Sequence, residues 1–152
     1  MSVNTTRPRI IAAWQQITGV QHVYAHIPRV IQPAELPGVI VFPGEASYED
    51  FASDMTMENR VYRCWLFLAE AKLGVEGQAE IDADPWFDRV RSHFVARPGL
   101  ELDDTTPPQD IVFDSTYEGD SGFTIRPYGN KQYGIIEFRL RVNELADIAY
   151  QD

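Results

Sequence analysis

The sequence predicts a single α+β domain in which an antiparallel β-sheet carries two main helices on one face. Three observations lead to it. Residues 133–143 alternate without a break from Ile136: Ile136, Phe138, Leu140 and Val142 fall on one side, Glu137, Arg139 and Arg141 on the other. A strand points successive side chains to opposite faces, so this is a strand with one dry and one wet side. Residues 60–71 form a second long strand candidate, and two segments with helical spacing precede and follow it. At 152 residues the chain holds one ordinary core and is too short for two comfortable ones.

Taken in order, Ile10, Ala13, Trp14 and Ile17 share one helical stripe over 9–17. Thr6 is placed to cap this helix, Pro8 suits its first turn, and Gly19 suits its stop. Residues 22–26 allow a brief strand, and Pro28, Pro33 and Pro37 mark an extended passage after it. Next, 38–42 is a compact apolar strand closed by Pro43 and Gly44. Residues 45–59 are polar and aperiodic, with Met55 and Met57 as isolated apolar points, and are expected to form a loop that orders on docking. On the 60–71 strand, Val61, Trp65, Phe67 and Ala69 share a face with Arg63, while Tyr62, Cys64, Leu66 and Leu68 line the other. Both faces are apolar, so both need a cover, one from the domain itself and one from either a helix of the same chain or a neighbouring copy. After a connector over 72–82, Asp84 and Pro85 are expected to open a second helix with Phe87, Val90 and Phe94 on its dry side. Residues 100–108 read as an acidic loop. Strands at 111–117 and 123–126, joined by a turn at 118–122, then lead to the turn at 128–131 and the last strand.

Composition excludes several functions. Apolar residues at 44% and charged residues at 24% are the mix of a globular protein. A net charge of −10 argues against a surface that grips nucleic acid phosphates, but suits a channel through which DNA slides. The single cysteine, Cys64, forbids an intrachain disulfide and fits a reducing cytoplasm. With no apolar stretch of spanning length, no membrane role is expected.

No chemical motif stands up. Residues 119–122, Gly-Asp-Ser-Gly, resemble the nucleophile signature of chymotrypsin-like proteases, but Phe123 follows where that motif needs glycine, and the chain is too short for two barrels. A turn accounts for these residues better, so Ser121 is not expected to be catalytic. His22 and His26 are four apart without a third ligand nearby. Asp82, Asp84 and Asp88 lack the glycine and terminal glutamate of a calcium loop. Asp103, Asp104, Asp110 and Asp114 could be paired acids, but among 23 acidic residues such pairs arise by chance. Cys64 is read as a small buried residue. No catalytic residue, cofactor or metal is therefore expected.

A resemblance runs along the whole chain in order. It is carried by the N-terminal helix, the Pro-Gly-bracketed strand at 36–44, the long acidic stretch, the strand at 62–68, the helix at 85–94 with Arg97-Pro98-Gly99-Leu100, and the aromatic-Gly turn and strand at 128–142. In this it resembles the tail terminator (tail completion, head–tail joining) proteins of long-tailed bacteriophages. The resemblance implies a homohexameric ring that binds the end of the tail tube, stops its polymerisation and meets the head connector. Subunits that are monomeric when dilute are expected as well, since a ring that closed too readily would form without the tube. DNA would pass through the lumen without specific binding, and the protein would be assembled in the host cytoplasm into the virion tail. The subunit or tail-tube interface is expected at Met55, Met57, Tyr62, Leu66 and Leu68. Two other classes remain open at this stage: a small α+β enzyme using His22, His26 or Asp114 as acid or base, and a monomeric protein-binding adaptor.

Overall fold

Strand alternation in the last third of the chain sets the architecture. The structure, a computed structural model, describes residues 2–52, 55–71, 76–100 and 112–147. Its elements are α1 (Ser2–Gln15), β1 (His22–Val23), β2 (Gly38–Ala52), β3 (Met55–Glu70), α2 (Glu76–Val95), β4 (Val112–Tyr128) and β5 (Lys131–Asp147), with a 3-10 turn at Pro33–Glu35. The sheet order is β1-β2-β3-β5-β4. All pairs of long strands are antiparallel, and the two-residue β1 joins β2 in parallel, so the sheet is mixed at that edge. The α+β domain expected from the sequence is present.

The dry side of β5 is the centre of the core. Ile136, Phe138, Leu140 and Val142 are all buried. They pack with Tyr62, Cys64 and Leu66 of β3, with Trp14 and Ile17 at the end of α1, and with Trp86, Val90 and Phe94 of α2. Both helices thus lie on one face of the sheet. They meet each other through Trp14 and Phe94, whose ring centroids are 5.4 Å apart. Thr6 does not cap α1: its buried hydroxyl donates to the Glu144 carboxylate and ties the first helix to the last strand. Arg7 adds a second tie, donating to the carbonyls of Val41 (3.0 Å) and Ala25 (2.7 Å).

The opposite face is covered over half its length by the chain itself. The proline-marked passage lays Tyr24, Ile31 and Leu36 over Ile40, Phe67, Tyr133 and Ile135. Tyr128 Oη donates to the Pro28 carbonyl, and Tyr24 Oη donates to Glu35 at 3.0 Å, which fixes the passage to the sheet. Part of the second cover for β3 therefore comes from residues 24–37.

Several elements depart from expectation, each for a physical reason. Residues 45–52 and 55–59 are not a loop: β2 runs on to Ala52 and pairs with β3 from Met55. Ser47, Tyr48 and Glu49 are exposed, so backbone ladder bonds hold this arm and no apolar alternation is needed there. Helix α2 begins at Glu76, and Pro85 lies inside it. Pro85 and Ile81 are both exposed, so the Ile81 carbonyl that Pro85 leaves without its usual bond faces the solvent side, while Ala83, Trp86 and Val90 stay buried opposite. Helix α1 likewise starts at Ser2 and runs through Pro8. The 118–122 segment is no turn but part of β4, which is bulged between Tyr117 and Gly119 and again between Asp120 and Phe123. Gly119 and Gly122 have φ of +118° and +75°, the conformations that let one strand absorb extra residues beside a continuous partner. The true reversal is Gly129–Asn130, as the 128–131 turn predicted.

Candidate functional site

Among the described residues, three places stand out as surfaces for a partner or ligand: the helix-free face of the sheet, a cleft beside α2, and the far arm of the β2–β3 hairpin. The helix-free face is the most elaborated. Here Phe42 of β2, Arg63 of β3 and Arg139 of β5 lie in one row across the sheet, because Phe42 pairs with Arg63 and Arg63 with Arg139. The next row holds Trp65 opposite Glu137. Arg126, from β4, stacks on Trp65 with its guanidinium carbon 5.3 Å from the ring centroid.

The electrostatics of this face are uneven. Glu137 is mostly buried, and burial alone would raise its pKa. The Trp65 indole donor at 2.9 Å and the Arg139 guanidinium at 2.9 Å outweigh that and hold it below the ordinary carboxylate value. Arg141 donates to Glu118 at 3.1 Å and to Asn59. Arg63 is exposed and makes no hydrogen bond or ion pair among the described residues. Like charges directly opposite one another on a sheet are unfavourable, yet Arg63 and Arg139 occupy such a pair.

The cleft, of about 390 Å³, lies between the first half of α2 and one end of the sheet, where the last residues of β3 run beside β5 and β4. Leu68, Trp86, Phe123, Ile125 and Pro37 wall it. Its polar groups are few: Gln78 donates to Asp82 at 2.8 Å, and Glu70 lies 3.8 Å from Lys131. Gly134 on its floor is required, since a Cβ there would come within 2.7 Å of the Phe123 ring.

The residues expected at an interface separate in the structure. Tyr62 and Leu66 do not face a neighbour; they are buried beneath the two helices in the main core. Burial pushes the Tyr62 hydroxyl up to about 12. Leu68 is half-buried against the same core and lines the cleft. Met57 is half-buried on the arm, opposite Glu49 and Leu145. Met55 starts β3, and its side chain lies outside the described residues. The strand does have an open face, but it is the one bearing Arg63 and Trp65. The sequence carried a signal for this: an arginine among the aromatics marks the side that helices leave uncovered.

The candidate acids and bases are dispersed. His22 stands on β1 at one edge of the sheet, 3.4 Å from Glu35, and Asp114 on β4 at the other edge, accepting from Asn143 at 2.9 Å. His26 is exposed, and Asp103, Asp104 and Asp110 lie outside the described residues. Cys64 is fully buried and its thiol is pushed up to about 12 by that burial, the state of an inert core cysteine. Ser121 Oγ donates to the Gly122 carbonyl at 2.9 Å and accepts from the Glu137 amide at 3.1 Å. Asp120 Oδ1 takes the Gly122 amide at 2.8 Å, so the motif is a self-bonded bulge with no imidazole in contact. We expect Ser121→Ala to fold normally and a fluorophosphonate to leave the native protein unlabelled, read by mass spectrometry; stoichiometric modification of Ser121 would contradict this. Among the described residues, no three His, Cys, Asp or Glu gather where they could hold a metal, and no helix is long and apolar enough to cross a membrane. No protein-family model matches the chain, and a search of curated proteins returns no match.

Proposed function

We propose that this chain is a structural component of a long-tailed phage virion: a ring of six copies that caps the head-proximal end of the tail tube, ends its polymerisation and presents a surface to the head connector. The observation that carries the reading is the asymmetry of the sheet. One face is sealed by α1 and α2, while half of the other carries no helix and sets the part-buried Phe42 and Trp65 among exposed and part-exposed arginines. A ring needs a heterologous contact, in which one patch of a subunit meets a different patch of the next, and a half-open sheet face supplies one side of it. The resemblance in order and pattern to tail terminators, and a net charge of −10 suited to a lumen that DNA must traverse without sticking, support the same reading. The test is electron microscopy of cognate tail tubes mixed with the protein. Density capping one end of each tube is the expected result, and bare ends at saturating protein would reject it.

The cleft beside α2 favours a second reading, a small-molecule binding module. Its walls are apolar and its size falls within the range of ligand pockets. Its polar groups are not arranged as a nucleophile with a base.

A further inference from the structure

The outer stripe of α2 is the charge complement of the open sheet face. Glu80, Ile81, Asp84 and Asp88 are all exposed and fall at helical spacing on one side of the helix. Ile81, at 61% exposure, is the most exposed large apolar side chain among the described residues. The stripe is thus three carboxylates around one apolar knob, with the exposed Arg91 three residues beyond Asp88 on the same side, and its net charge is negative. The sheet face is the reverse in net charge: Arg63, Arg126 and Arg139 surround Trp65 and Phe42, with the single carboxylate of Glu137 buried among them.

We propose that the arginine face of one copy docks on the outer stripe of α2 of a second copy. Asp84 and Asp88 would lie against Arg63 and Arg126, and Ile81 against Trp65 and Phe42. Two features of the single chain point to an anionic occupant of this face. Arg63 and Arg139 sit directly across the ladder from each other with only Glu137 between them in charge, and a second carboxylate from outside would relieve the pair further. Arg126 makes no ion pair among the described residues, and Arg63 has only the charge of Glu137, which Arg139 already holds at 2.9 Å, so Arg63 and Arg139 share one carboxylate in a chain where 23 acidic residues outnumber 13 basic ones. Because the sheet face and the α2 stripe are different patches on one subunit, the contact is head-to-tail, and repetition closes a ring or extends a filament. The inference rests on the ring reading above and specifies which surfaces make it.

The test uses two full-length variants, Arg63→Glu with Arg126→Glu, and Asp84→Arg with Asp88→Arg. Circular dichroism melts first show that both fold; the four positions are at the surface or partly exposed. Self-association is then followed by sedimentation velocity across protein and salt concentration. Each variant alone places like charge against like charge. Its half-assembly concentration should rise at least about a hundredfold over the unmodified chain. An equimolar mixture should assemble again, because each variant's altered patch meets the other's altered complement and the two alternate around an even-numbered ring. If both variants assemble as the unmodified chain does, or if the mixture stays apart, these are not the contact surfaces, while the ring itself stands. A chain that remains monomeric at every concentration and leaves tube ends bare rejects both the contact and the ring.

Discussion

Phe138→Ala is expected to destabilise the protein by about 3–5 kcal/mol, the usual cost of removing a fully buried phenylalanine. Phe138 is 0% exposed. It packs in tilted contact with Trp14 of α1 at 5.6 Å, Phe87 of α2 at 6.5 Å and Tyr117 of β4 at 6.5 Å, so one side chain touches both helices and a neighbouring strand. Truncation forfeits the transfer free energy and leaves a cavity that three separate elements would have to collapse around. Domains of this kind are stable by only about 5–15 kcal/mol, so the loss is a large share of the total. Thermal and urea unfolding followed by circular dichroism measure it. A melting temperature equal to that of the unmodified chain would mean that the alternation on β5 has been assigned to the wrong face.

Leu66→Asp should do more damage still, and should act on folding before assembly. From the strand pattern alone, a charge at Leu66 is expected to block contact with a neighbour and spare the fold. The structure reverses that expectation, because Leu66 is 0% exposed under the helices. The substitution removes a buried leucine, worth about 2–5 kcal/mol, and in addition strips a carboxylate of water without giving it a partner. We expect little folded protein at room temperature. Arg63→Glu, three residues away on the opposite face, should melt as the unmodified chain does. Should Leu66→Asp fold normally and lose only self-association, then the helices do not cover this face.

What could be read from the sequence depended on how strongly burial imprinted a period. Ile136 to Val142 alternate because one side is core and the other is not, so strand, register and dry face were all legible. The faces of β3 were also separated correctly, with Tyr62, Cys64 and Leu66 on one and Arg63, Trp65 and Phe67 on the other. Which face the helices take was not legible, since both are apolar and no local rule ranks them. The weak signal was Arg63, and it marked the open side. Residues 45–52 and 55–59 were missed as strand because the arm is held by its backbone ladder and its most buried side chain among the described residues is the polar Glu58, which writes no apolar period. The early start of α2 was missed because Pro85 is a stop or start signal by its chemistry, and only burial of Ala83, Trp86, Val90 and Phe94 carries the helix through it. The Thr6–Glu144 bond spans nearly the whole chain, a separation at which sequence pattern carries no information. The arginine face is likewise a product of register: Arg63, Arg126 and Arg139 come from three strands and become neighbours only when β3, β5 and β4 pair.

The reading of this chain as a tube terminator is tested most directly by tube length. Cognate tail tube protein is polymerised with increasing amounts of the chain, and tube lengths are measured on electron micrographs. Termination predicts tubes that shorten as the ratio of this chain to tube protein rises, each ending in a ring of constant diameter. Tubes of unchanged length and bare ends at every ratio would contradict it, and a monomeric protein-binding adaptor would then be the better description.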